Sequence, residues 1–198
     1  MSELTFLLIF AAIAYLLGSI NLSIVAAGLA GIDGLRASGS GNPGVTNLYR
    51  SAGGKIAFVV LLGEIGKAFL AVGLARIVDA EYLPLLVLPY VLGNLFPLFH
   101  RFKGGKGVSA VVGSFLAANP WIMLLGGGVF FLFFLIFRRV SVGSLTMICS
   151  YPVWAILLSE SDLMLGICVT VGVLIVFTHR QNIGRLLRGE EPGLKKGR

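Results

Sequence analysis

Long apolar runs, each closed by a short polar stretch, repeat along the whole chain. They fall at about Leu4–Ala30, Lys55–Val78, Tyr82–Phe99, Val108–Ala118, Trp121–Phe137, Val140–Leu158 and Leu163–Thr178. None alternates polar and apolar positions with period two, so no barrel closes from them, and in lipid such runs must be helices. Six read as spans of roughly 20 residues each. Val108–Ala118 is short for a span and reads as a half-helix or a segment buried among its neighbours. The first run follows an acid, Glu3, where a signal peptide would carry a cationic region, and is about twice the length of a signal peptide's apolar core. It is expected to be a retained helix.

Composition explains why lipid must be the solvent. The 198 residues are 57% hydrophobic and 13% charged, against about 45–50% and about 25% in soluble domains. Mean hydropathy is +0.93. The length suits a single domain, residues 1–198. Cys149 and Cys168 lie inside apolar runs, with no CxxC or His/Cys cluster, and read as packing residues.

The net charge of +7 changes meaning in this setting. It marks membrane topology, not nucleic-acid binding. If all seven runs cross, fourteen of the sixteen basic residues share one face: Arg36, Arg50, Lys55, Arg101, Lys103, Lys106, Arg138, Arg139, Arg180, Arg185, Arg188, Lys195, Lys196 and Arg198. Glu3, Asp79, Glu81, Glu160 and Asp162 share the other, with only Arg76 nearby. Dropping the short run would scramble this sorting. The expectation is an all-α, polytopic integral membrane bundle of about seven transmembrane helices, with the N-terminus outside and the C-terminus cytoplasmic.

Three polar clusters then meet at the cytoplasmic surface. In "LRASGSGNPGVTNLYRSAGGK" (Leu35 to Lys55), Gly39, Gly41 and Gly44 alternate with Ser40, Asn42, Thr46 and Asn47, and Arg50 follows. Glycines let backbone N–H groups converge on an anion, hydroxyls and amides add donors, and a guanidinium suits phosphate. A turn-rich connector is the plain alternative. "HRFKGGKGVSA" (His100 to Ala110) lacks the spacing of a Walker A motif. Its Gly104, Gly105 and Gly107 are expected to expose N–H groups, with Lys103 and Lys106 as point charges and a helix starting near Gly107. Orienting the chain would need the lysines but not the glycines. In "THRQNIGRLLRGEEP" (Thr178 to Pro192), His179, Asn182 and Arg185 are spaced by three and share a helical face. Glu190 and Glu191 are possible partners for these cations. Glu64 and Lys67, three apart within the second run, read as a structural ion pair.

Many donors and few carboxylates imply a phosphate-bearing ligand, with one phosphate or two, bound at the lipid boundary. There is no GxSxG elbow, no metal-ligand cluster and no carboxylate pair for glycoside chemistry. Neither a metal nor a cofactor is expected. A transfer between two phosphorylated substrates needs little beyond positioning and charge neutralisation.

"SGSGNPGVTNLYR", "HRFKGGKGV" and "HRQNIGRLLRGEE", in that order and spacing, resemble the three signature motifs of the bacterial acyl-phosphate-dependent glycerol-3-phosphate acyltransferases, the PlsY family. "YLLGSI" at Tyr15–Ile20 resembles the family's opening helix. The resemblance runs from about residue 14 to 191. It implies a multi-pass enzyme of the bacterial inner membrane, its site facing the cytoplasm. Such an enzyme transfers an acyl chain from a long-chain acyl phosphate to the 1-hydroxyl of glycerol 3-phosphate, releasing lysophosphatidic acid and phosphate. Its partners would be those two substrates and the bilayer, with no nucleic acid, and the chain is expected to be a monomer. Carried over by motif position, Ser40, Arg50, Lys106, His179 and Asn182 are the implied catalytic and phosphate-lining residues. Asn42, Thr46, Asn47, Lys103, Gly104, Gly105, Gly107, Arg185 and Glu191 are the implied phosphate-binding set. The proton acceptor is His179 or the substrate's own phosphate, and the cations around His179 favour the phosphate. Asn94 stands where the family commonly has histidine, Glu64 for aspartate, Val45 for alanine and Gln181 for glutamate. The rival reading is a transporter or sensor of a phosphorylated metabolite, against which no repeated half-structure is visible.

Overall fold

The computed structural model describes residues 2–32, 34–37, 40–77 and 79–193, so Gly39, Lys195, Lys196 and Arg198 lie outside the described residues. Ten helices follow one another: α1 (Glu3–Gly18), α2 (Leu22–Leu29), α3 (Val45–Ala52), α4 (Gly54–Gly73), α5 (Leu83–Leu95), α6 (Val108–Ala118), α7 (Pro120–Phe137), α8 (Val140–Leu157), α9 (Asp162–Thr178) and α10 (Arg180–Leu187). Short 3₁₀ turns follow α4, precede α5 and occupy Leu98–His100. No strand occurs among the described residues. The fold is therefore the expected all-α membrane bundle.

Five helical segments are long and apolar enough to cross a membrane: Glu3–Leu29, Gly54–Ile77, Leu83–His100, Pro120–Phe137 and Val140–Leu157. The pair α9–α10, bent by 61°, makes a sixth if it is taken as one span. The short run expected at Val108–Ala118 is α6, an 11-residue helix. Large apolar side chains cover the outside of the bundle, with Leu8, Leu70, Phe131 and Ile136 each more than half exposed, as a lipid-facing surface requires.

Two elements differ from the expectation. The first apolar run is two helices interrupted at Ser19–Asn21, not one. A hydropathy average does not register the break, because Ser19 and Asn21 are only two polar residues in a long apolar run. The break is stabilised from outside its own helix. Asn21 caps α2, its Oδ1 accepting the Ile24 N–H at 3.0 Å. From α4, Glu64 accepts the Leu22 N–H at 2.7 Å, and Lys67 donates to the Ile20 carbonyl. Glu64 and Lys67 pair at 2.9 Å. The expected ion pair thus supplies the partners that an interrupted helix loses. The second difference is that the first polar cluster is partly helical. Thr46, Asn47 and Arg50 sit on α3.

Close backbone crossings set the packing. A Cβ on Gly18 would lie 2.3 Å from the Tyr90 carbonyl oxygen, and one on Gly93 would lie 2.1 Å from that of Tyr15. Only glycine lets α1 and α5 cross this closely. Ser19 then joins the break to the following loop: its hydroxyl donates to the Tyr15 carbonyl at 2.9 Å and accepts the Leu98 N–H at 3.2 Å. Between α4 and α6, a Cβ on Gly113 would lie 2.2 Å from the Ile65 carbonyl.

Glu64 is only 2% exposed, so Glu64→Ala leaves Lys67 without its counter-charge and Leu22 without its acceptor. The expected loss is about 3–5 kcal/mol, read as a lowered midpoint of thermal unfolding in detergent micelles. Pairing it with Lys67→Met is expected to recover part of that loss.

Candidate active site

A cavity of about 580 Å³ opens where the three polar clusters meet. Ser40, Asn42, Thr46, Asn47 and Arg50 line it from the first cluster; Gly105, Lys106 and Gly107 from the second; His179, Asn182, Arg185 and Glu191 from the third. Lys103 and Gly104 do not reach it, nor do His100 and Arg101.

The first cluster is organised by Asn47, which is 1% exposed. Its Oδ1 accepts the Ser40 N–H at 2.9 Å, and its Nδ2 donates to the Leu35 carbonyl at 2.8 Å. An amide bonded at both ends braces the loop, and Asn47 also lines the cavity. Asn21 buttresses the same loop, donating to the Pro43 carbonyl at 2.9 Å. Arg50, in the last turn of α3, reaches the Gly193 carbonyl at 3.3 Å.

The glycine loop requires a correction. The Gly104 N–H donates to the Leu95 carbonyl at 3.1 Å and the Gly105 N–H to the Asn94 carbonyl at 3.3 Å. These donors are used inside the protein and do not project at a ligand. Gly104 is needed for space: a Cβ there would lie 2.2 Å from the Asn94 carbonyl oxygen. Gly107 adopts φ +80 and caps α6, a conformation that favours glycine. Lys103 is exposed, and its carbonyl accepts the Arg36 guanidinium, which ties the first two clusters together. Lys106 is therefore the cation this loop delivers to the cavity.

In the third cluster, His179 sits at the elbow between α9 and α10, 2% exposed. Its Nδ1 lies 2.9 Å from the Ile175 carbonyl. Burial pushes its pKa down to about 4, an effect the Ile175 carbonyl and Glu191 oppose and Lys106 reinforces. The ring is neutral at pH 7, so Nδ1 carries the hydrogen donated to Ile175 and Nε2 is left as an acceptor. Asn182 donates to Glu191 Oε1 at 2.5 Å, while its own Oδ1 is buried with no hydrogen-bond partner. Arg185 pairs with Glu191 Oε2 at 2.7 Å, and Arg139 holds the Glu191 carbonyl at 2.9 Å. Burial alone would raise the Glu191 carboxyl, but hydrogen bonds, those from Asn182 and Arg185 among them, hold it below the usual range. A carboxylate already committed to Asn182 and Arg185 orients those groups and would repel phosphate.

The charge balance of the cavity is lopsided. Glu191 neutralises Arg185, while Arg50 and Lys106 have no carboxylate partner among the described residues. Burial lowers the Lys106 pKa to about 8; Glu191 opposes this, and Arg185 and Arg50 add to it. An anion in the cavity would relieve both uncompensated charges. Among the described residues no group of three or more His, Cys, Asp or Glu gathers as a metal site would require. Sequence reasoning missed Asn21, Ser23, Ser109, Ser141 and Ser144 and noted Asn94 only as standing where the family commonly has histidine; all six are on the cavity wall. Only Ser141 and Ser144 carried a signal, a three-residue spacing on one face of α8.

Away from the charged end, the cavity turns apolar. Phe58, Leu61 and Ile65 of α4 face Met123, Gly127, Phe130 and Phe131 of α7 across it. Phe58 is 60% and Phe131 64% exposed, so this end also opens sideways to the lipid-facing surface.

The chain matches the family model described as glycerol-3-phosphate acyltransferase over residues 8–189. A curated glycerol-3-phosphate acyltransferase of Ralstonia pickettii is 39% identical over 197 residues, covering 96% of this chain and 95% of the relative. One from Coxiella burnetii is 36% identical over 185 residues, covering 92% and 95%. Among solved structures, PlsY, an integral membrane glycerol 3-phosphate acyltransferase, superposes in its glycerol 3-phosphate form with a TM-score of 0.90 at 36% identity, covering 94% of each chain. Its lysophosphatidic acid form superposes with a TM-score of 0.87 at 35% identity, again over 94% of each chain. On the combined strength of the family model and these relatives, the chain belongs to the glycerol-3-phosphate acyltransferase family.

Proposed function

We propose that this protein transfers a long acyl chain from acyl phosphate to the 1-hydroxyl of glycerol 3-phosphate, as a single-domain monomer in the bacterial inner membrane with its site on the cytoplasmic side. One observation carries the reading: two cations without carboxylate partners among the described residues, Arg50 and Lys106, stand at the polar end of a cavity whose other end is an apolar cleft. One phosphorylated ligand with a greasy tail and one without would fill it.

The glycerol hydroxyl oxygen attacks the acyl carbonyl carbon, the new C–O ester bond forms, and the acyl–phosphate C–O bond breaks. Inorganic phosphate leaves with the electron pair. The hydroxyl proton passes to the phosphate of glycerol 3-phosphate. A phosphate monoester has a second pKa near 6, whereas His179 is held at about 4, so the substrate is the stronger base. His179 Nε2 and the unpaired Asn182 Oδ1 are left to orient hydroxyls. Arg50 and Lys106 neutralise the phosphates, and Arg185, oriented by Glu191, adds hydrogen-bond donors. With the Gly104 and Gly105 N–H groups already bonded, charge developing on the carbonyl oxygen is stabilised by Lys106 and the N-terminus of α6.

The deciding assay offers purified protein glycerol 3-phosphate with acyl phosphate or acyl-CoA. Lysophosphatidic acid with equimolar phosphate, from acyl phosphate alone, is the expected result. Product from acyl-CoA alone overturns the donor, and no ester from either overturns the enzyme reading. Arg50→Ala and Lys106→Ala are each expected to lower kcat/KM by roughly two to three orders of magnitude without lowering the unfolding midpoint.

The pH profile follows from the same groups. Lys106 is charged below its pKa of about 8, so kcat/KM, which reports the free enzyme, should fall as pH rises through 8. Lys106→Arg should move that limb upward. On the acid side, kcat/KM should rise as the substrate phosphate loses its second proton, near pH 6.

A further inference from the structure

The apolar cleft has a built end. Its deepest lining residues are Ile65 of α4, Val112 of α6, Met123 of α7 and Met147 of α8. Just beyond them the seam between α4 and α6 closes, because Gly113 is pressed against the Ile65 carbonyl, where a Cβ would lie 2.2 Å away. Behind Met123 stands Tyr151, fully buried, its ring 4.6 Å from that of Phe115 and tilted by 57°. The Tyr151 hydroxyl donates to the Met123 sulfur at 3.2 Å. Tyr151 is itself wedged against α7, since a Cβ on Gly126 would lie 2.4 Å from its ring. A methionine is ordinarily an adaptable gap filler, but this one is held in place by a donor on a side chain that cannot shift. One turn nearer the charged end, Gly127 leaves the wall open: a Cβ there would meet only the Met123 methyl, at 3.4 Å.

We propose that Met123, seated on Tyr151, is the stop that sets the longest acyl chain this protein accepts, and that Gly127 keeps the channel to it clear. The inference rests on the acyl-transfer reading above. Its competitor is the sideways opening between α4 and α7, through which a tail could run into lipid without meeting Met123. A stop imposes a cut-off in chain length, whereas a sideways exit imposes none.

The test measures kcat/KM for saturated acyl phosphates of stepwise increasing length, in wild type and three variants. Within the channel each added methylene should raise kcat/KM about fourfold, the equivalent of about 0.8 kcal/mol, up to a length beyond which it drops. Met123→Ala should move the drop to longer chains, improving the first rejected donor on the order of tenfold. Gly127→Leu should move it to shorter ones. Tyr151→Phe keeps the ring and loses only the hydroxyl, so it should blur the cut-off even if one of the other variants folds poorly. A profile without a drop, or a drop at the same length in every active variant, overturns the stop and assigns the tail to the lipid. A wild-type protein making no ester from any donor instead fails the acyl-transfer reading, and the stop with it.

Discussion

Lipid offers no partner to an unpaired backbone N–H or C=O, and three irregular stretches of this chain are shaped by that constraint. At the α1–α2 break, an ion pair on α4 supplies an acceptor to Leu22 and a donor to Ile20. After α5, the carbonyls of Asn94 and Leu95 at the helix end are bonded by Gly105 and Gly104. At the α9–α10 elbow, the Ile175 carbonyl takes the Nδ1 hydrogen of His179. In each case the group that repairs the backbone belongs to, or adjoins, a cavity wall. The bundle can therefore hold non-helical backbone beside lipid only because its polar side chains converge there.

That convergence also fixes the electrostatics. Positive charge is concentrated around the cavity, and the two carboxylates that line it are committed, Glu64 to Lys67 and Glu191 to Arg185 and Asn182. Arg50 and Lys106 remain uncompensated, an arrangement that costs stability in the empty protein and favours any ligand bearing negative charge. The geometry is set in advance: Asn47 braces one loop, Arg36 ties it to the next, and Arg139 holds the segment bearing Glu191. Little reorganisation is left for the moment of binding, which is where preorganised dipoles are most effective.

Much of this was readable from residue order. The apolar runs gave helices close to their observed bounds, and the three clusters named most of the cavity's polar wall. What sequence could not give was direction. Glycines in "KGGKG" signalled a backbone in unusual company, but whether their N–H groups faced outward or toward the carbonyls of Asn94 and Leu95 depended on how α5 ends. Asn47 and Glu191 carried the right chemistry for a polar site, yet their roles turned on which neighbours they reached. The break at Ser19–Asn21 was invisible because its partners, Glu64 and Lys67, lie more than forty residues away in sequence. The apolar cleft was hidden for a simpler reason. Phe, Leu and Met facing a cavity look the same, letter by letter, as those facing lipid.

The cleft between α4 and α7 is walled by Phe58 and Phe131, which are both part of the cavity and part of the outer surface. A molecule dissolved in the bilayer meets that opening by moving within a plane, whereas one dissolved in water arrives from a volume. Encounters with the first are counted per area of membrane. Adding inert lipid at a fixed amount of such a ligand would thin it out along the surface and slow its arrival, with the aqueous phase left unchanged.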